Sequence, residues 1–199
     1  YFYLLATLLE ASDRVANTAS VYGAFLKTLK ASARKRLELV KDEIIFSDKT
    51  HTLFNDDIRN VLNRVPIDLL YLDPPYNARQ YDANYHLLET ISRYDHPEIS
   101  GKTGLRKDTS QKSDFCRKHR VKQAFTEVVQ KTRAKYLLVS YNNEGLMSLK
   151  ELQEILALRG TPKTFVHAYK RFKADKTENR NHKAESTTEY LHFVKCEKG

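Results

Sequence analysis

Apolar positions recur at Leu4, Leu5, Leu8, Leu9 and Val15, the i, i+3, i+4 spacing of a helix already under way at the first residue. A second stripe over residues 21–29 predicts another helix. Asn17-Thr18-Ala19-Ser20 reads as the break between them, with Ser20 as cap. The basic residues 30–36 are either a solvated helix end or a phosphate contact. Leu37-Glu38-Leu39-Val40 and Glu43-Ile44-Ile45-Phe46 read as short strands around a polar turn. Residues 50–54 alternate as a further strand, which ends at Asn55-Asp56-Asp57, and a short helix over 58–62 follows.

Ile67-Asp68-Leu69-Leu70-Tyr71-Leu72 is a nearly continuous apolar run, the pattern of a strand buried on both faces. It stops at Asp73-Pro74-Pro75-Tyr76. A helix is predicted over 84–93, with Tyr85, Leu88 and Ile91 facing the core. A polar, Gly-containing loop covers 97–113, and a helix covers 115–131. Residues 136–141 form a second buried strand that closes on Asn142-Asn143-Glu144-Gly145. A helix over 148–158 ends at Gly160, a C-cap position. Strands over 164–172 and 189–195 flank a polar segment and predict a hairpin with a long loop.

Alternation of strands and helices predicts an α/β fold: a mostly parallel sheet with a C-terminal antiparallel hairpin at its edge. Ligands of such sheets bind beyond the carboxyl ends of the strands. Here those ends carry Asp56 and Asp57, residues 73–76, and residues 140–143.

Composition narrows the class. The 199 residues are 41% hydrophobic and 30% charged, which suits a globular domain and excludes collagen-like, disordered and disulfide-scaffold chains. No apolar run approaches the ~18 to 20 residues that span a bilayer, and Tyr1-Phe2-Tyr3-Leu4-Leu5 lacks the basic region and cleavage site of a secretory signal. Cys116 and Cys196 have no metal-ligand spacing and are expected as free thiols in a reducing compartment. Thirty-four Lys and Arg against 25 Asp and Glu leave +9, a surplus that fits a polyanionic partner such as nucleic acid or a merely soluble basic surface. Residues 102–122 alone hold eight Lys or Arg against two Asp. That stretch suits DNA phosphates or a solvated loop, as does the basic stretch 170–183 with weaker support.

Asp73-Pro74-Pro75-Tyr76 after an apolar strand can be a tight turn with Asp73 as turn former. Its context points further. Through Asn77-Ala78-Arg79-Gln80-Tyr81, Asn84-Tyr85-His86-Leu87-Leu88-Glu89-Thr90-Ile91, Gly101-Lys102-Thr103-Gly104-Leu105-Arg106, Ser140-Tyr141-Asn142-Asn143-Glu144-Gly145 and Glu189-Tyr190-Leu191, the chain resembles the D12-class DNA adenine-N6 methyltransferases of restriction–modification systems. The resemblance implies a Rossmann-like S-adenosylmethionine-dependent methyltransferase fold, with Asp73, Pro74, Pro75 and Tyr76 as the catalytic turn. It implies S-adenosylmethionine as cofactor and double-stranded DNA with a flipped adenine as substrate. A cognate restriction endonuclease and a bacterial cytoplasmic setting go with it. Oligomeric state stays open.

The chemistry explains these residue types. The N6 lone pair of adenine is delocalised into the ring, and two acceptors aimed at its N–H bonds localise it as the new bond forms. The resemblance implies the Asp73 carboxylate and the Pro74 carbonyl in those roles, and a π-face on Tyr76 for the extruded base. It places an acidic residue, Asp57 or alternatively Asp56, on the adenine amine of the cofactor, with Asp73 beside it. The same carboxylates could simply cap a helix. Arg79, Gln80, Tyr81, Asn84, Lys102, Arg106 and Lys107 are the candidates for contacts to DNA, and His86 reads as a surface or satisfied histidine rather than a general base.

Enzymes of this fold place a Gly-containing loop after their first strand, and here none of the six glycines precedes Gly23. Residues 1–199 are therefore expected as one methyltransferase domain truncated at its N-terminus, helical over 1–37 and catalytic over 38–199, a fragment expected to bind the cofactor weakly or not at all and to show no measurable turnover. Two other readings remain open on sequence: an RNA or cytosine-N4 methyltransferase of the same fold, and a non-catalytic DNA-binding module.

Overall fold

The structure, a computed structural model, describes residues 1–19, 21–24, 26–41, 43–108, 112–170 and 186–197. The expected Ser20 cap, the loop of the last hairpin and nearly all of the basic stretch 170–183 lie outside the described residues. In chain order the first elements are α1 (Phe2–Arg14), α2 (Ile58–Val61), β1 (Leu69–Leu72), α3 (Tyr81–Asn84), α4 (His86–Arg93), β2 (Ile99–Ser100) and β3 (Leu105–Arg106). Then come α5 (Val121–Lys131), β4 (Tyr136–Asn142), α6 (Leu149–Leu156), β5 (Lys163–Lys170) and β6 (Ser186–Lys195). They fall into two compact units, Tyr1–His51 with Arg79–Lys112, and Thr52–Ala78 with Ser113–Gly199.

The second unit holds a mixed sheet in the order β1-β4-β6-β5. Only β1 and β4 are parallel. β4 with β6 and β6 with β5 are antiparallel, so the terminal hairpin forms and the mostly parallel expectation is corrected for the described residues. The strands expected over 37–40, 43–46 and 50–54 do not form, and Ile45, Phe46 and Leu53 stand at least 90% exposed. Alternation defines the faces that a strand would have, but a strand persists only where a neighbour takes up its backbone hydrogen bonds. Among the described residues nothing pairs with these segments.

β1 likewise buries one face and not two: Leu70 and Leu72 face the core, while Leu69 and Tyr71 are about half exposed. The inner strand β4 alternates in the same way, so the sheet packs its core against one face. β4, paired on both sides, buries Leu137, Val139 and Tyr141 against Phe125 and Val128 of α5 and Leu152 and Leu156 of α6. These side chains form one apolar core, joined by Leu62 from the end of α2.

α6 begins with a complete capping box. The Ser148 hydroxyl accepts from the Glu151 N–H, and the Glu151 carboxylate accepts from the Ser148 N–H at 2.8 Å. The helix ends at Ala157, not at Gly160. Gly160 instead sits at φ +147°, where a Cβ would strike the Lys195 carbonyl.

In the first unit α1 packs against α4. The helix expected over 21–29 does not form among the described residues. The Asn17 side chain donates to the carbonyls of Leu26 and Thr28 and accepts from Lys30 N–H, which holds this stretch as a loop. The expected loop 97–113 contains the β2–β3 hairpin, whose turn uses Gly101 and Gly104 at φ near +70°. Tyr85 does not enter a core: it is 38% exposed and stacks on Tyr81, with ring centroids 5.9 Å apart.

The packing of the second unit can be tested at two positions. A Cβ at Gly145 would run into the ring of the fully buried Tyr141. Gly145→Ala should lower unfolding stability by roughly 1–3 kcal/mol, read from the denaturant midpoint. The Ser148 N–H, Lys122 and the Ser148 hydroxyl hold the Glu151 carboxyl down at about 2. Because its folded value is depressed, its contribution is present above about 4.5 and disappears as pH falls towards 2. Glu151→Gln should therefore cost about 1 kcal/mol at neutral pH, and thermal melts of the two proteins should converge at acid pH.

Candidate active site

β1 stops where two prolines remove the N–H donors that a longer ladder needs. In the parallel register Leu72 pairs with Val139, so Asp73 leaves the sheet beside Ser140 of β4. The Tyr76 hydroxyl then turns back on the strand end. It donates to Asp73 Oδ1 at 2.6 Å and lies 2.8 Å from Ser140 Oγ. The Tyr76 ring meets Tyr141 edge-on at 5.0 Å, and its carbonyl accepts from Leu146 N–H at 2.8 Å. Burial first, and the bond to Asp73 second, push the Tyr76 phenol well above its usual range, so it stays a proton donor at any ordinary pH. Asp73 itself is exposed, and among the described residues its Oδ2 receives no hydrogen bond.

Asp57 starts a helix, as expected, but the strand expected over 50–54 does not precede it. It is the N-cap of α2, with Oδ1 accepting from the Arg59 N–H and Nε, and Oδ2 from Arg59 Nη2 at 2.7 Å. These bonds, the Arg59 side chain foremost, hold its carboxyl below the usual range. A carboxylate offers about four lone-pair directions; three are taken, and one on Oδ2 remains for a ligand amine. Asp56 is similarly engaged, accepting from Asp57 N–H and Asn60 on one oxygen and from Arg64 on the other. The Asn60 bond is the largest of the causes that lower its pKa. No polar contact among the described residues joins either carboxylate to the Asp73 turn.

The expected nucleic-acid residues all belong to the first unit. Lys102 is exposed in the β2–β3 turn, and Lys107 is exposed with an ion pair to Glu98 at 3.1 Å. Gln80 stands at the N-cap of α3, and Tyr81 offers one face to Tyr85. Asn84 uses its carbonyl to take the Tyr22 N–H, and Arg79 is exposed. Arg106 differs. Its side chain is 8% exposed, donates twice to Asp95 at 2.8 and 2.5 Å, and reaches Thr90. Its guanidinium ties the hairpin to the α4 region rather than projecting into solvent. His86 is buried and bonded through both ring nitrogens, to the carbonyls of Ala83 and Thr103.

Two contributors escaped sequence reasoning. Arg59 joins Asp57 to Asp114 and Glu127, and its position two residues after a capping aspartate was the available signal. Ser140 was visible only as part of a motif; its place beside Asp73 needs the β1–β4 register, which local sequence does not carry.

A family model for the D12 class N6 adenine-specific DNA methyltransferases matches residues 1–155. The chain is 50% identical over 194 residues to the type II methyltransferase M.NlaIII of Neisseria lactamica, covering 98% of this chain and 58% of that protein. It is 39% identical over 199 residues to M.FokI of Planomicrobium okeanokoites, covering 98% of this chain and 30% of that protein. With M.CviAII of Paramecium bursaria Chlorella virus 1 it shares 37% over 198 residues, 99% of this chain and 58% of the relative. The chain thus spans about a third to three fifths of the length of these relatives. No solved structure matches it. On a family match that covers most of its length, the chain belongs to the D12 class of N6 adenine-specific DNA methyltransferases.

Proposed function

We propose that the protein carrying this chain methylates the N6 amine of adenine in double-stranded DNA, using S-adenosylmethionine, as the modification activity of a restriction–modification system. The observation that carries the reading is the Asp73 carboxylate at the end of β1, with Oδ1 held by Tyr76 and Oδ2 open to a ligand. The mixed sheet is read as part of a Rossmann-like methyltransferase fold. No helix among the described residues is long and apolar enough to cross a membrane, and we place the reaction in the bacterial cytoplasm, beside a cognate endonuclease.

Bound S-adenosylmethionine supplies an electrophilic methyl group. Asp57 fits its adenine end, because the ionised carboxylate has one acceptor direction left for an amine. Asp56 has the same donor chemistry and is the alternative.

At the target, Asp73 Oδ2 accepts one N–H of the extruded adenine and the Pro74 carbonyl accepts the other. Both acceptors strengthen as positive charge develops on the nitrogen, so they stabilise the transition state more than the ground state. The nitrogen lone pair would form the bond to the methyl carbon as the carbon–sulfur bond of the sulfonium breaks, its electron pair staying on the departing thioether. The surplus proton on the product amine leaves afterwards through the exposed Asp73 carboxylate, and no strong base is needed beforehand. The Tyr76 ring supplies the stacking face for the base. Arg79, Gln80, Tyr81 and Asn84 contact the DNA, and Lys102 and Lys107 add phosphate contacts that carry no sequence information.

Base analysis of DNA and RNA incubated with the protein and labelled methyl donor tests the reading. N6-methyladenine in duplex DNA is expected; N4-methylcytosine, or label confined to RNA, would overturn it. Asp73→Ala should lower the rate at least a hundredfold, about 3 kcal/mol in the barrier, with the melting temperature preserved. Binding should weaken steeply with salt. Replacing Lys102 and Lys107 by Gln should reduce the log–log slope by about 0.9 for each phosphate that is no longer neutralised, and an unchanged slope would remove them from the interface.

A further inference from the structure

We infer that Ser140 is a positioning residue of this site: acting through the Tyr76 hydroxyl, it fixes which oxygen of Asp73 meets the target amine. The inference rests on the methyl-transfer reading above. Its geometry is independent of any ligand.

Hydrogen-bond direction follows from proton counting. An ionised carboxylate only accepts, so the single Tyr76 proton goes to Asp73 Oδ1 at 2.6 Å. The 2.8 Å contact between Tyr76 and Ser140 must then run from Ser140 Oγ–H to the phenolic oxygen. The three groups form one polarised chain, Ser140 to Tyr76 to Asp73, in which each bond strengthens the next.

The anchor of this chain is the firmest of its members. Ser140 sits within β4, which pairs with β1 on one side and with β6 on the other, where Ser140 lies opposite Leu191. Asp73 and Tyr76 sit on a turn that begins where the β1 ladder ends. The terminal torsion of an aspartate is broad and nearly two-fold, so an untethered carboxylate exchanges its oxygens freely. With Oδ1 bound to a phenol that is itself bound to the sheet, rotation is restrained and Oδ2 faces the substrate. Methyl transfer is sensitive to this, because a misplacement of about 1 Å can cost on the order of a hundredfold in rate.

Loss of the Ser140 hydroxyl leaves the Tyr76 ring where it is. Ring and backbone are held separately, by Tyr141 and by Leu146 N–H. The defect should therefore lie in the chemical step and not in folding or DNA binding.

Steady-state kinetics of the full protein on duplex DNA, for Ser140→Ala, Ser140→Thr, Tyr76→Phe and the Ser140→Ala/Tyr76→Phe pair, decide the question. Ser140→Ala should lower kcat about tenfold, the scale of one hydrogen bond in a charged network, with KM for DNA within about twofold. Ser140→Thr, which keeps the hydroxyl and suits a strand, should recover most of the rate. The double variant should be no slower than Tyr76→Phe alone, because Ser140 acts only through the phenol. Losses that multiply in the double variant, or a wild-type kcat for Ser140→Ala beside an inactive Asp73→Ala, overturn the inference and leave the functional reading standing. A wild-type protein that makes no N6-methyladenine overturns both.

Discussion

The parallel pairing of β1 with β4 is the constraint on which the site depends. β4 is the inner strand of the pair, paired on both edges and packed on the α5 and α6 core through Leu137, Val139 and Tyr141. β1 has no second ladder partner among the described residues, so its register comes from β4. Because the two run in the same direction, the end of β1 and the last residues of β4 lie at one end of the sheet. Asp73 therefore emerges beside a hydroxyl, an aromatic ring and a backbone donor, all supplied by β4 and the turn after it. An antiparallel pairing would send the Asp73 turn to the opposite end, away from Ser140 and Leu146.

How much of this was legible in sequence depended on whether the information is local. The apolar run ending in Asp73-Pro74-Pro75-Tyr76 announces a strand and its stop within ten residues, and β1 follows it closely. The capping box of α6 is equally local, being a serine and a glutamate three residues apart. Residues 37–54 misled because alternation describes faces without providing a partner strand. Tyr85 misled because helical spacing places it on the core stripe, while stacking on Tyr81 holds it outside. In the site, the turn residues were readable and the support was not. Ser140 becomes meaningful only once the register Leu72↔Val139 is known.

Charge behaves in the same way. A surplus of nine cations suggests a polyanion, and because it already sets paired arginines against their carboxylates, it gives the charge left over but not which residues carry it. Arg106 is held by Asp95, and Arg59 by Asp57 with Asp114 and Glu127 nearby. Guanidinium groups suit such work, since their planar fork of donors matches a carboxylate edge. The exposed positive surface is thus set by the lysines more than by these arginines.

The hydrogen bond from Leu146 N–H to the Tyr76 carbonyl also governs how the turn moves. Exposed turns commonly fluctuate as small independent units, opening at little free-energy cost while the core stays closed. Here the turn shares a side-chain bond and a ring contact with the strand that organises the core, and a backbone bond with the turn after that strand. It cannot open alone: releasing Tyr76 means breaking its ties to β4 and the turn that follows. Opening the Asp73 turn therefore costs these ties as well as its own contacts, and its local opening free energy should exceed that of an untethered exposed turn, although Asp73 itself faces water.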